Sequence, residues 1–315
     1  MNARLRIPLL LALFAALAPV PDAPAATGRL LADVPFRLHD DRILVDVTLD
    51  GHGPFTMIFD TGGGNVITPE CARRLGLASA ASESTSGAGE KQVPAGVATI
   101  ASMKLGALEM RRQVFHIVDL GEIRRGFRFP ALDGVVGREL LERAHASVDF
   151  DGLRLRLREP SRDPGSVPAD AVRFALEDGM PVVEGRIDGV PARLLVDTGD
   201  RSNLTVFRAF AARTGLDSLF AARPEIPTGI GIGGPIPGRV ATVPSVEFGT
   251  VRERDVVSRL PSTRSGGFAT SPLAGSIGLG LMRNYDLEID YRQRWLALRP
   301  HRAARVPSAF VPLEP

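Results

Sequence analysis

The chain has 315 residues, 44% of them hydrophobic, and a formal net charge of +2. That is enough apolar content for a sizeable core and for two domains of ordinary size. The basic residues are scattered and almost all arginine, with Lys91 and Lys104 the only lysines, which argues against a nucleic-acid partner.

The N-terminus reads as a secretory signal over residues 1–26. Arg4 and Arg6 give a positive start, Pro8 to Ala18 a short apolar run, and Ala23-Pro24-Ala25 a small-x-small cleavage site. The run is short for a bilayer span, although an uncleaved anchor is the other reading. Cys71 is the single cysteine, so no internal disulfide is available and burial must stabilise the fold. These features point to a periplasmic or secreted protein without membrane insertion after signal cleavage.

A first structural unit is expected over residues 27–160. Ile43, Val45, Val47 and Leu49 alternate as in a half-buried strand and end at an Asp50-Gly51 turn. The apolar run Phe55 to Phe59 leads into Asp60-Thr61-Gly62. Thr68 with Pro69 opens a predicted helix that Gly76 closes. Gly87-Ala88-Gly89 follows, then Val97 to Ile100 through Leu105-Gly106. Gly134-Val135-Val136-Gly137 and a strand ending in Asp149-Phe150 complete the unit.

Pro160, Pro164 and Pro168 mark a linker, placed at residues 161–170. The series then repeats over residues 171–303, ahead of a tail at 304–315. Val182-Val183 begins a strand, Asp188-Gly189 makes the turn, and Leu194-Leu195-Val196 leads into Asp197-Thr198-Gly199. Thr205 is the predicted cap of the second helix and Gly215 its end. Gly229 to Gly234, Val240 to Val243, Phe248-Gly249, Gly275-Ser276-Ile277-Gly278 and Asp290-Tyr291 mirror the remaining elements. Two copies of a strand-rich unit predict a mainly β protein with few short helices and two lobes about a pseudo-twofold axis; many more copies would be needed for a solenoid.

A single Asp-Thr-Gly is weak, because Asp and Gly also favour strand-end turns. Two copies at equivalent places in a repeat, each after an apolar strand, are specific. A pseudo-twofold axis would bring Asp60 and Asp197 together, and two close carboxyls share one proton because both cannot easily ionise. The ionised one can take a proton from water while the other donates to a carbonyl oxygen. Gly62 and Gly199 permit close approach, and the Thr61 and Thr198 hydroxyls can bond across the lobes.

On these residues, Phe59 to Gly62 and Val196 to Gly199, and on Val135-Val136-Gly137 and Ser276-Ile277-Gly278, the chain resembles the aspartic peptidase superfamily. Within it, the chain is closer to bacterial retropepsin-like proteins with both repeats in one chain than to pepsin-type relatives. The resemblance implies a two-lobed monomer hydrolysing peptide or protein substrates without cofactor or metal. Asp60 and Asp197 would be the catalytic pair, supported by Thr61, Gly62, Thr198 and Gly199. Gly87 and Gly89 in one lobe, and Gly231 and Gly233 in the other, would sit at flap tips that close over substrate. The flap tyrosine of pepsin-type relatives is missing, since Tyr285 and Tyr291 lie elsewhere.

Asp200 departs from the family pattern, where a small residue such as Gly63 is usual. It reads either as a solvated charge paired with Arg201 or as an acid that shifts the pH optimum or abolishes activity. The second case would leave an inactive peptide-binding module on the same fold. Gly229-x-Gly231-x-x-Gly234 matches a dinucleotide fingerprint only formally, because Pro235 and Pro237 follow where a helix should start. The five histidines lack metal-ligand spacing. Cys71 and Trp295 read as core residues.

Overall fold

A computed structural model describes residues 28–77, 83–270 and 272–300. The expected signal at 1–26 and the expected tail at 304–315 lie outside these residues. The described chain is mainly β, and each repeat builds the same arrangement around its own Asp-Thr-Gly.

In the first half, strands Ile43–Leu49 and His52–Phe59 form a hairpin. Its turn residues Asp50 and Gly51 have φ of 45° and 78°, the left-handed region that Asp-Gly tolerates. Ile43, Val45, Val47 and Leu49 all point into the main core, while Leu44 faces a second apolar cluster with Ile58 and Val135. This strand therefore separates the core from the floor of a cleft. Gly134–Val136 runs parallel to the end of His52–Phe59, pairing Ile58 with Val135 and Phe59 with Val136. Val66–Ile67 returns antiparallel on its other side. The loop carrying Asp60 is thus held between three strands.

The second half repeats the pattern. Met180–Ile187 and Val190–Asp197 form the hairpin, again with positive φ at Asp188 and Gly189. Gly275–Gly278 runs parallel to Val190–Asp197, and Leu204–Val206 pairs antiparallel to it. Fully buried side chains such as Phe59, Phe115, Phe210 and Phe248 fill the cores, each contributing about 1.5–3 kcal/mol by burial.

A shared sheet joins the lobes, in the order Leu30–Pro35, Arg154–Arg158, His145–Asp149, Tyr285–Asp290, Trp295–Pro300, Val172–Glu177. Its middle is the antiparallel pairing of Val148 with Leu287 and Ala146 with Ile289. One hairpin and one flanking strand from each half lie on either side of that seam, so the pseudo-twofold axis passes through it. Trp295 is buried here. The proline-marked stretch between the halves contains a single turn of 3₁₀ helix, Pro164–Ser166.

The first post-loop helix, Pro69–Arg74, starts as expected: Thr68 Oγ1 accepts from the Cys71 N–H at 3.1 Å and Gly76 has φ of 68°. Cys71 is buried, and burial pushes its thiol up to about 12. The second helix differs from expectation. It spans Arg208–Thr214 after Phe207, which supplies no side-chain cap, and Thr205 instead lies within strand Leu204–Val206. Strand pairing has claimed the Thr205 backbone, and its hydroxyl serves Asp200. Gly215 ends this helix with φ of 77°.

Candidate active site

Asp60 and Asp197 emerge from equivalent strand ends and meet on the axis. Their carboxyls lie near enough for each to act on the other's proton. Each also accepts from its own loop: the Gly62 N–H donates to Asp60 Oδ1 and the Gly199 N–H to Asp197 Oδ1, both at 2.8 Å. The two glycines cross over. Gly62 packs on the Asp197 carboxyl and Gly199 on that of Asp60, so closely that a methyl group at either would overlap it.

The threonines lock the loops together. The Thr61 N–H donates to Thr198 Oγ1 and the Thr198 N–H to Thr61 Oγ1, each at 3.0 Å. The Thr61 hydroxyl then donates to the Val196 carbonyl at 2.7 Å, and that of Thr198 to the Phe59 carbonyl at 2.9 Å. All four bonds are buried and cross between lobes, where an unmet polar group would be expensive. Below them the Tyr291 hydroxyl donates to the Thr61 carbonyl at 3.0 Å. Burial, then the charges of Asp60 and Asp197, hold that phenol well above its ordinary range, so it remains a donor.

The surroundings of the two acids are unequal. Burial raises both carboxyls above the usual range. For Asp197, the charges of Asp60 and then Asp200 add to the burial effect and push it further. For Asp60, burial is opposed by the Gly62 N–H, the neighbouring Asp197 carboxyl and the Arg42 guanidinium.

Asp200 is neither solvated nor paired with Arg201. It is buried, and Arg259 donates to its Oδ1 at 2.9 Å. The Ser202 N–H and hydroxyl also reach Oδ1, at 2.9 and 2.8 Å, and the Thr205 hydroxyl donates to Oδ2 at 2.7 Å. Burial alone would raise its carboxyl, but Arg259, Ser202 and Thr205 outweigh that and hold it below the usual range. Arg201 pairs instead with Asp40 at 2.5 Å. The expectation failed because charge pairing followed the fold and not adjacency in the chain.

Above the acids lies a cleft of about 420 Å³ lined by both lobes. Apolar walls flank the centre: Ile58, Leu120, Ile123 and Val135 on one side, Met180, Ile236 and Phe268 on the other. The glycine stretches close its roof. Hairpin Ile226–Gly231 and Gly234–Phe248 carries Ile232-Gly233 at its tip, where Gly233 has φ of 97°. The loop holding Gly87 and Gly89 meets that tip: the Gly89 N–H donates to the Ile232 carbonyl and the Lys91 N–H to the Gly233 carbonyl, both at 3.0 Å. The Gly267 N–H donates to the Gly87 carbonyl at 2.9 Å. Gly229, Gly231 and Gly234 thus belong to a hairpin over the cleft, not to a dinucleotide loop. Among the described residues, no group of three or more metal-binding side chains occurs.

Arg42, Arg259 and Tyr291 complete the site and were not singled out from the sequence. Arg42 carried a faint signal, as a charge immediately before the buried run from Ile43. Tyr291 was marked only as the strand-end counterpart of Phe150, and nothing local marked Arg259.

The sequence matches the family model described as Aspartyl protease over residues 45–140 and 183–265. Among solved structures it is similar to the crystal structure of a retropepsin-like aspartic protease from Rickettsia conorii, with 17% identity and a TM-score of 0.32, over 41% of this chain and 87% of that one. No curated protein matches the chain.

Proposed function

The chain belongs to the aspartyl protease family, and from that premise we propose that it is an exported endopeptidase using Asp60 and Asp197 on one water molecule. The observation carrying this reading is the meeting of two part-buried carboxyls, each held by an N–H of its own loop, at the floor of a cleft shared by both lobes. With one proton on the pair, the ionised carboxylate takes a proton from water, the water oxygen bonds to the peptide carbonyl carbon, and the other carboxyl gives its proton to the carbonyl oxygen. In the collapse, the newly protonated acid gives its proton to the amide nitrogen, the C–N bond breaks, and a gem-diol hydroxyl returns a proton to the other acid. Both carboxyls are then ready for another turn.

The extended, roofed cleft suits a peptide strand, and its apolar walls on both sides of the acids suit apolar side chains beside the cut bond. Release needs the roof to open, which breaks the backbone bonds between Gly89 or Lys91 and the opposite tip. The binding-only alternative loses its motive, because Arg259 neutralises Asp200 and the pair stays intact. Export rests on the N-terminal pattern; among the described residues no helix is long and apolar enough to cross a membrane.

The test is cleavage of an unfolded protein by the mature chain across pH, with Asp60→Asn and Asp197→Asn beside it. Activity in the parent and its loss in both variants is expected. Full cleavage by either variant defeats the dyad. Cell fractionation, with the N-terminus of the mature protein read directly, tests export; residues 1–26 still attached in the cytoplasm would refute it.

A further inference from the structure

The repeat makes the two acids equivalent in backbone, and their charged neighbours make them unequal. Asp200 sits three residues after Asp197, and its own N–H donates to Asp197 Oδ1 at 3.0 Å. Its side chain is only 2% exposed and that of Arg259 only 4%. Arg259 is held from other sides too: it donates to Thr205 Oγ1 at 2.7 Å and to the Thr228 carbonyl at 3.2 Å, and its guanidinium lies over Phe268. A carboxylate with four donors is held ionised. The pair is neutral as a whole, but its negative end is on the Asp197 loop, and the positive end comes from strand Val251–Pro261 beyond it.

The corresponding first-lobe position is Gly63. The backbone there does the same work, since the Arg138 N–H donates to the Gly63 carbonyl as the Leu279 N–H does to that of Asp200. No charge accompanies it. The acid nearest that loop, Glu139, is part-exposed, accepts from the Asn65 N–H at 2.9 Å and has Arg138 at 3.4 Å. On the Asp60 side stands Arg42 instead. It is buried, and its Nε donates at 3.2 Å to the carbonyl of Gly199, the residue packed on the Asp60 carboxyl. Asp40 is shared between Arg42 and Arg201, and Asp41 pairs with Arg283. The remaining ionisable neighbours are the Tyr291 phenol beneath the loops and His116 and Asp178 lining the cleft.

We infer that Asp200 and Arg42 break the symmetry of the pair, Asp200 keeping the shared proton on Asp197 and Arg42 keeping Asp60 ionised, so that Asp60 takes the proton from water. Asp200 and Arg42 are positioning residues: neither reacts. The inference rests on the proteolytic reading for its role in turnover, but the placement of the proton can be measured without turnover.

The experiment compares pH–rate profiles of the parent, Asp200→Asn and, as a control, Glu184→Gln, whose side chain is 83% exposed. Removing the charge beside Asp197 lets the pair lose its last proton more readily, so the basic limb of Asp200→Asn should move to lower pH by about one unit, with the control unmoved. A folded Asp200→Asn variant with an unmoved limb overturns the inference. If that variant does not fold, Asp200→Asn/Arg259→Met removes both charges, and the limb should move the same way by less; no movement overturns the inference equally. In parallel, ¹³C NMR of aspartate-labelled parent protein follows the two carboxyls, assigned with Asp60→Asn and Asp197→Asn. Asp197 should hold its proton to higher pH than Asp60, and the reverse order or identical titrations would refute the asymmetry. If nothing is cleaved at any pH while that order is found, the proteolytic reading fails and the asymmetry stands.

Discussion

The two lobes reach the same backbone solution with different side chains. Both need a carboxylate to accept the N–H groups of the loop after Asp-Thr-Gly. In the first lobe Glu139 reaches over from helix Arg138–Leu141 to the Asn65 N–H. The second-lobe loop is one residue longer, running Asp200-Arg201-Ser202-Asn203 against Gly63-Gly64-Asn65. There Asp200 accepts from the Ser202 N–H within the loop itself. The longer loop fills the space a side chain would need, and a Cβ at Gly280 would fall 2.6 Å from Asn203 Oδ1 and 2.8 Å from the Arg201 carbonyl oxygen. Glu139 and Asp200 thus meet one requirement from two directions, but the Asp200–Arg259 pair is buried whereas Glu139 and Arg138 are part-exposed. A fused pair of lobes can diverge in this way, whereas an identical dimer would have to place the same charge on both sides.

The largest expected effect ignores the difference between lobes. Asp60→Asn and Asp197→Asn should each lower the cleavage rate by about 10²–10⁴-fold, because each acid both gives and takes a proton during a turn. A rate assay at the optimum pH that finds one variant nearly active would mean that the lobes are not chemically paired.

Next, the ion pairs should separate the lobes. Arg259→Met leaves Asp200 charged, buried and unpaired, at a cost of about 3–5 kcal/mol. Glu139→Gln keeps a partly exposed acceptor for Asn65 and should cost about 1 kcal/mol or less. Urea denaturation of both variants checks this, and equal losses would dissolve the comparison.

The threonines should restore the symmetry. Thr61→Val and Thr198→Val each strand one buried N–H and one buried carbonyl across the interface, at about 1–3 kcal/mol per group. Their denaturation midpoints should fall together; a clear gap would locate an inequality that the shared bond lengths do not suggest.

The smallest effect is a pH dependence of stability. The Asp197 carboxyl is raised in the folded state, so the folded protein binds its proton more tightly than the unfolded chain. Stability is therefore diminished above the folded-state value and recovers as pH falls through it. Asp197→Asn should raise the melting temperature at neutral pH, with the gain shrinking toward acid. Melts from pH 3 to 8 would show it, and a gain independent of pH would point to packing instead of charge.

Much of the fold was legible because its signals are local. The Asp50-Gly51 and Asp188-Gly189 turns, the inward alternation from Ile43, the Thr68 cap and the Gly76 and Gly215 endings all depend on residues within a turn of one another. The repeat then turned two weak Asp-Thr-Gly signals into a specific pair, and the glycine stretches into a roof. Thr205 misled because a threonine before a helix resembles a cap until a neighbouring strand claims its backbone.

The sequence by itself determined that two equivalent hairpins would each deliver an aspartate, because strand alternation and Asp-Gly turns are written in adjacent residues. Only the tertiary structure decided which charges stand beside each acid. Arg259 reaches Asp200 from a separate strand and Arg42 reaches Gly199 from the other lobe, and partners so far apart in the chain meet only where packing has already brought their strands together.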